Sequence, residues 1–135
     1  MSATGRFEIT LKALLVRDGR ALVLRDRLSG QADLPGGRIT QAELHGPWLD
    51  ALRREIAEEL GDGVVVELPA EPAFVFPHVL PTSRGDALGM MWIGRWTRGE
   101  PVLSDEHDRW ELVPLAEAAS RFRETLAPAV ARACS

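Results

Sequence analysis

The segment Arg54-Glu55-Ile56-Ala57-Glu58-Glu59-Leu60-Gly61 places three carboxylates at spacings i, i+3 and i+4. A helix advances about 100° per residue, so the three fall within an arc of roughly 100°. Like charges on one helix face repel unless a cation sits among them. A divalent ion fits that role, because hard ions such as Mg²⁺ take carboxylate oxygens. A metal platform in turn suggests phosphate chemistry. The competing reading is a solvated acidic face with Arg54 and Glu58 as an ordinary i,i+4 pair.

The same stretch carries an apolar stripe at Leu49, Leu52, Ile56 and Leu60, so one face packs inward while the glutamates point to the side. Ala51 lies one turn before Glu55, where a small side chain leaves room for an ion. Pro47 suits the first turn of such a helix, and Gly61 its left-handed cap.

Upstream runs Leu34-Pro35-Gly36-Gly37-Arg38-Ile39, followed by Glu43. A glycine pair lets the backbone turn sharply and approach a ligand. Taken together, Gly37, five residues, Glu43 and then Arg54-Glu55-Ile56-x-Glu58-Glu59-x-Gly61 resembles the signature of the Nudix hydrolases, G-x5-E-x7-R-E-U-x-E-E-x-G-U with U aliphatic. Two departures stand out. Ten residues separate Glu43 from Arg54 where the signature has seven, and Asp62 holds the last aliphatic position. The extra three fall around Leu44-His45-Gly46-Pro47, which reads as a lengthened surface loop. Counted back without a gap, the glutamate position would land on Gly46, so the role of Glu43 depends on that insertion.

The resemblance implies Mg²⁺-dependent hydrolysis of a phosphoanhydride bond, with Mn²⁺ as an alternative ion. It implies that Glu55, Glu58 and Glu59 hold the metal, that the Gly36 carbonyl completes its shell and that Arg54 orients a carboxylate. Gly37 is expected at the substrate, and Glu43 and Gly61 in the frame of the motif. Relatives use one more acid from a distant loop. Ser104-Asp105-Glu106-His107-Asp108 is the candidate here, with Glu106 preferred over Asp105 and Asp108. Which glutamate serves as general base stays open.

Other residues invite weaker readings. His78 and His107 are expected in packing or at the surface rather than on a ligand, and His45 is expected to be exposed. Phe74, Phe76, Trp92, Trp96 and Trp110 could stack a base, but alternating aromatics in strands usually form core. Arg84 lies in a loop that could reach a phosphate. The substrate expected is a nucleoside triphosphate or related nucleotide. A nucleotide-sensing domain that does not cut and a diphosphate isomerase are the rival classes.

The elements that must position these groups follow from pattern. Strands are expected over Phe7 to Val16 and Arg20 to Arg25, joined at Asp18-Gly19. A short extended segment covers Leu34 to Ile39 and a helix Trp48 to Leu60. Further strands are expected over Val64 to Leu68, Ala73 to Leu80 with a break at Pro77, and Ala87 to Trp96 with a bulge at Gly94. Asp105 to Arg109 reads as a loop, Trp110 to Val113 as a strand, and Leu115 to Arg132 as a helix interrupted at Pro128. Two helical layers on a mixed sheet give an α/β (α+β) fold, an α/β/α sandwich over residues 1–135, and the resemblance implies the same.

Composition sets bounds. The chain has 135 residues, 45% of them hydrophobic, which suits one domain with a real core. Its net charge of −4 gives no broad basic field, so nucleic acid is not an expected partner. The lone Cys134 cannot form an internal disulfide, and no apolar run is long enough to span a bilayer. A cytoplasmic enzyme acting on a small diphosphate compound is therefore expected, away from membranes, with a homodimer left open.

Overall fold

The computed structural model describes residues 2–79 and 85–135. A hairpin opens the chain: β1 (Glu8–Arg17) and β2 (Arg20–Asp26) meet through Asp18 and Gly19, both at positive φ. That backbone matches the twist of the strands it joins. The two strands pair only next to the turn, at Val16 with Ala21 and Arg17 with Arg20. Beyond that they splay, and the returning chain fills the gap. β3 (Ala32–Asp33) pairs with β2, and β4 (Gly36–Arg38) pairs with β1. The segment that carries the glycine pair is thereby wedged into the middle of the sheet.

After β4 a short 3₁₀ turn (Gln41–Glu43) leads to α1 (Trp48–Leu60). Three further strands follow: β5 (Val65–Glu67), β6 (Phe74–Val79) and β7 (Asp86–Arg98). β7 runs parallel to β1 over nine residue pairs, while β5 and β6 flank β7 antiparallel. β8 (His107–Pro114) returns beside β2. The chain ends in α2 (Leu115–Ala118), a 3₁₀ turn (Ala119–Arg121) and α3 (Leu126–Ala133).

β1 is buried on both faces, so it reads as an almost continuous apolar run. Leu11, Ala13 and Leu15 face α1 and pack with Ala51, Leu52, Ile56 and Leu60. Leu14 faces the other way, into a second core with Leu126, Ala129 and Val130 of α3. Helices on both sides of a mixed sheet make the expected α/β/α sandwich.

Several local expectations need correction. Pro77 does not break β6, because β6 is hydrogen-bonded to a neighbour on one side only among the described residues, and an edge position tolerates a missing N–H. Gly94 is not a bulge, since its register with Leu15 is regular. A Cβ there would lie 2.7 Å from the Glu67 carbonyl oxygen, so glycine allows close strand approach. β8 starts at His107, earlier than the sequence pattern suggests. The C-terminal helix breaks between Phe122 and Thr125, where Glu124 has φ 51°. Pro128 sits in the first turn of α3, where no intrahelical donor is lost. Pro47 is the N-cap of α1 rather than a helical residue, and Gly61 caps with φ 84° and ψ 165°, positive but outside the left-handed helical well. Ala51 leaves no space for an ion, because it is buried against the α1 core.

Candidate active site

Two backbone devices bring the motif together. At the first, Gly36 adopts φ 136°, and a Cβ there would stand 1.9 Å from the Leu11 carbonyl oxygen. Only glycine fits that approach to β1. The Gly36 amide then donates to Glu59 Oε1 at 2.8 Å, tying the wedge to the last turn of α1. Gly37 serves a related end, since a Cβ on it would meet the Glu55 carboxylate at 2.6 Å. At the second, the chain after β7 runs along the C-terminus of α1. Val102 N–H donates to the Leu60 carbonyl and Ser104 N–H to that of Glu59, which occupies carbonyls a helix end leaves free. Two residues later comes Glu106. Its carbonyl accepts from the Arg27 amide, which fixes the loop to the end of β2.

The helix glutamates divide into two groups. Arg54 gathers the outer one. Its Nε and Nη2 donate to both oxygens of Glu43 at 2.8 and 2.9 Å, Nη2 also reaches Glu55 at 3.0 Å, and Nη1 reaches Glu58 at 3.0 Å. The lengthened loop is real: residues 44–47 form turns between Glu43 and α1, with His45 exposed, and the structure still places Glu43 on Arg54. The Arg54 bond and the Thr40 amide hold the Glu43 carboxyl down at about 2. Arg54 is held charged, well above its ordinary range, chiefly by Glu43 and against its own desolvation. Burial raises the Glu55 carboxyl, against the pull of Arg54. The Glu58 side chain is 56% exposed.

The inner group is different. Glu59 is 2% exposed. Glu59, Glu106 and His107 each offer one donor atom, and these lie within 4.8 Å of one another. Burial pushes the Glu59 carboxyl up to about 9, and the neighbouring Glu106 adds to this, although Lys12 and the Gly36 N–H pull the other way. Sequence reasoning missed what stands behind this pair. Lys12, 6% exposed, donates from Nζ to Asp33 Oδ1 at 2.9 Å and to the Leu34 carbonyl at 3.1 Å. His107 Nε2 donates to the other oxygen, Asp33 Oδ2, at 3.1 Å. The Leu34 amide also bonds Asp33 Oδ1. Burial alone would raise the Asp33 carboxyl, but Lys12 and His107 hold it far below the usual carboxylate range. Burial alone would lower Lys12, but Asp33, Glu59 and Glu55 keep it above its ordinary value. A lysine alternating into the apolar run of β1 was the available signal, since a buried lysine needs a carboxylate partner.

Of the two competitors of Glu106, only Asp108 lies elsewhere. Asp108 pairs with Arg25 at 2.8 Å, whereas Asp105 and Glu106 both line the cleft. That cleft has a volume of about 1320 Å³ and contains Glu55, Glu59, Glu106 and His107 along its wall. His78 is buried and bonds Thr125 Oγ1 through Nδ1 at 2.9 Å, so it packs as expected. Phe76, Trp92 and Trp96 are core residues, and Trp110 meets Trp96 edge to face. Arg84 lies outside the described residues. Cys134 is half-buried against the α3 core, away from these groups.

The pattern described as NUDIX domain matches residues 8–133, nearly the whole chain. The chain belongs to the Nudix family. Solved Nudix folds resemble it closely in shape. A MutT NUDIX hydrolase from Burkholderia pseudomallei is 24% identical with a TM-score of 0.70, over 96% of this chain and 97% of that one. The MutT protein from Methanosarcina mazei Go1 is 22% identical with a TM-score of 0.78, over 98% and 96%. A C. elegans Ap4A hydrolase, solved as a binary complex, is 15% identical with a TM-score of 0.75, over 93% of each chain. No protein of curated function matches at the sequence level.

Proposed function

We propose that this protein hydrolyses a diphosphate linkage in a nucleotide, a nucleoside triphosphate or a related compound, with Mg²⁺ or Mn²⁺ as cofactor. The observation that carries the reading is the convergence of Glu55, Glu59 and Glu106 in the lining of one cleft, with the Gly36-Gly37 wedge bonded to Glu59. Family membership supports the same reaction class. The donor set fits a hard divalent ion: the buried Glu59 carboxylate with the exposed Glu106 beside it, and the chain's one lysine already committed to Asp33.

Glu55, Glu58, Glu59 and Glu106, with the Gly36 carbonyl, would hold the metal. Bound there, it would neutralise the diphosphate and lower the pKa of a coordinated water. The chain's own residues do the rest. Arg54, anchored on Glu43, holds Glu55 by one Nη2 bond and Glu58 by Nη1 bonds to both carboxylate oxygens. Gly37 leaves space for the Glu55 carboxylate against the wedge. Three arginines line the cleft: Arg38 is paired with Glu8, while Arg123 and the terminal nitrogens of Arg27, whose Nε donates to the Asp105 carbonyl, would meet substrate phosphates. Glu58→Gln is the test. Its side chain is exposed, so the fold should survive, and turnover of a panel of nucleotides should fall by about 100-fold or more, beyond the loss typical of an outer-shell partner. Wild-type phosphate release by the variant would sink the reading.

A further inference from the structure

His107 is 1% exposed, and its Nδ1 has no hydrogen-bond partner among the described residues. A buried ring nitrogen without a partner is costly unless something binds it. Its other nitrogen is committed. Lys12 keeps Asp33 ionised, and Asp33 accepts the Nε2–H. With the proton on Nε2, the lone pair of an uncharged ring lies on Nδ1. A metal-bound imidazole is ordinarily oriented in this way, by donating its second N–H to a carboxylate. The histidine also belongs, by one of its two ring nitrogens, to the group in which Glu59, Glu106 and His107 offer donor atoms within 4.8 Å of one another.

We propose that His107 is a nitrogen ligand of the inner metal position, bound through Nδ1, with Asp33 and Lys12 as the positioning pair behind it. The position is then a mixed one, with two carboxylates and one imidazole. Imidazole favours transition ions over Mg²⁺, so this position takes Mn²⁺, Co²⁺ or Zn²⁺ in preference to Mg²⁺. The outer carboxylates keep the all-oxygen character that suits Mg²⁺. The inference rests on the metal-dependent reading of the site but assigns a ligand and an ion class that this reading does not need.

Mn²⁺ alone is the probe, and pulsed electron paramagnetic resonance of the loaded wild-type protein is the readout. Direct imidazole ligation gives a ¹⁴N modulation in the spin echo, and it changes when the histidines carry ¹⁵N. The chain has three histidines, so His45→Gln, His78→Gln and His107→Gln assign the source. The signal should be present in wild type, persist in the first two variants and vanish in the third. His107→Gln should also lose about tenfold or more in Mn²⁺ affinity, with a smaller change for Mg²⁺. Asp33→Asn should weaken Mn²⁺ in the same direction. Tight Mn²⁺ binding without nitrogen modulation in wild type overturns the inference while leaving the carboxylate site intact, and needs no variant to fold. Modulation that survives His107→Gln overturns it equally. Failure of wild type to bind Mn²⁺ overturns this inference, and failure to bind Mg²⁺ as well overturns the hydrolase reading.

Discussion

Glu43 and Glu59 are the same side chain in opposite surroundings. Glu43 sits at the open end of the Arg54 fork, bonded by two guanidinium nitrogens and a backbone amide, and stays ionised down to about pH 2. Glu59 sits beneath the wedge, short of water and close to Glu106, and holds its proton up to about pH 9. The difference teaches that surroundings, not formal charge, decide how much a carboxylate would gain from an ion. Where two guanidinium nitrogens and a backbone amide already answer one carboxylate, as at Glu43, an ion has least to gain. Where burial outweighs the help of Lys12 and the Gly36 N–H, as at Glu59, an ion gains most.

The two regions have opposite pH signs. The folded Glu43 carboxyl lies below its ordinary 4.5, so its contribution is present above pH 4.5 and lost as pH falls through about 2. The folded Glu59 carboxyl lies above 4.5, so the metal-free protein loses stability as pH rises from 4.5 towards 9. A bound divalent ion should remove that loss.

The comparison breaks most visibly at its buried support. Lys12→Met strands the Asp33 charge, and Asp33→Leu strands Lys12. Each should cost about 3–5 kcal/mol in denaturant unfolding, and the double variant should cost clearly less than their sum. Additive losses would mean the pair is not coupled.

Next in size is His78. Burial lowers its imidazole to about 4, and Thr125, which accepts the Val79 N–H, can donate its hydroxyl proton to Nδ1. With an ordinary value of 6.5, the unfolded chain binds the extra proton first. Stability is then full above pH 6.5 and falls by on the order of 3 kcal/mol as pH drops to 4. His78→Gln should flatten that limb of the unfolding profile, and an unchanged slope would place the titration elsewhere.

Smallest is Glu43→Gln. It leaves the inner carboxylates untouched, so metal affinity should change little and the unfolding midpoint should barely move. Turnover should fall moderately as Arg54 loses its anchor. A variant that loses metal binding would show that the outer and inner groups act as one.

The frame of this molecule was open to reading because periodicity and glycine placement are local. The α1 stripe, the Asp18-Gly19 turn and the outer glutamates each announce themselves within a few residues. The inner site was harder. Asp33 lies in a two-residue strand and His107 at the start of β8, 74 residues away, and only strand pairing brings both to β2. Lys12 looked like one polar residue in an apolar strand. The break at Glu124 was hidden for a related reason: its positive φ follows from tertiary packing, while Pro128 was the louder but harmless signal.

The central claim is that the buried Glu59 site is built to exchange a proton for a metal ion. Calorimetric titration of Mg²⁺ and Mn²⁺ at pH 7, in buffers of different ionisation enthalpy, counts the protons released. About one proton should leave per ion bound, and affinity should climb by about tenfold per pH unit until it levels off near pH 9. Metal binding without proton release, at an affinity unchanged between pH 6 and 9, would contradict the account.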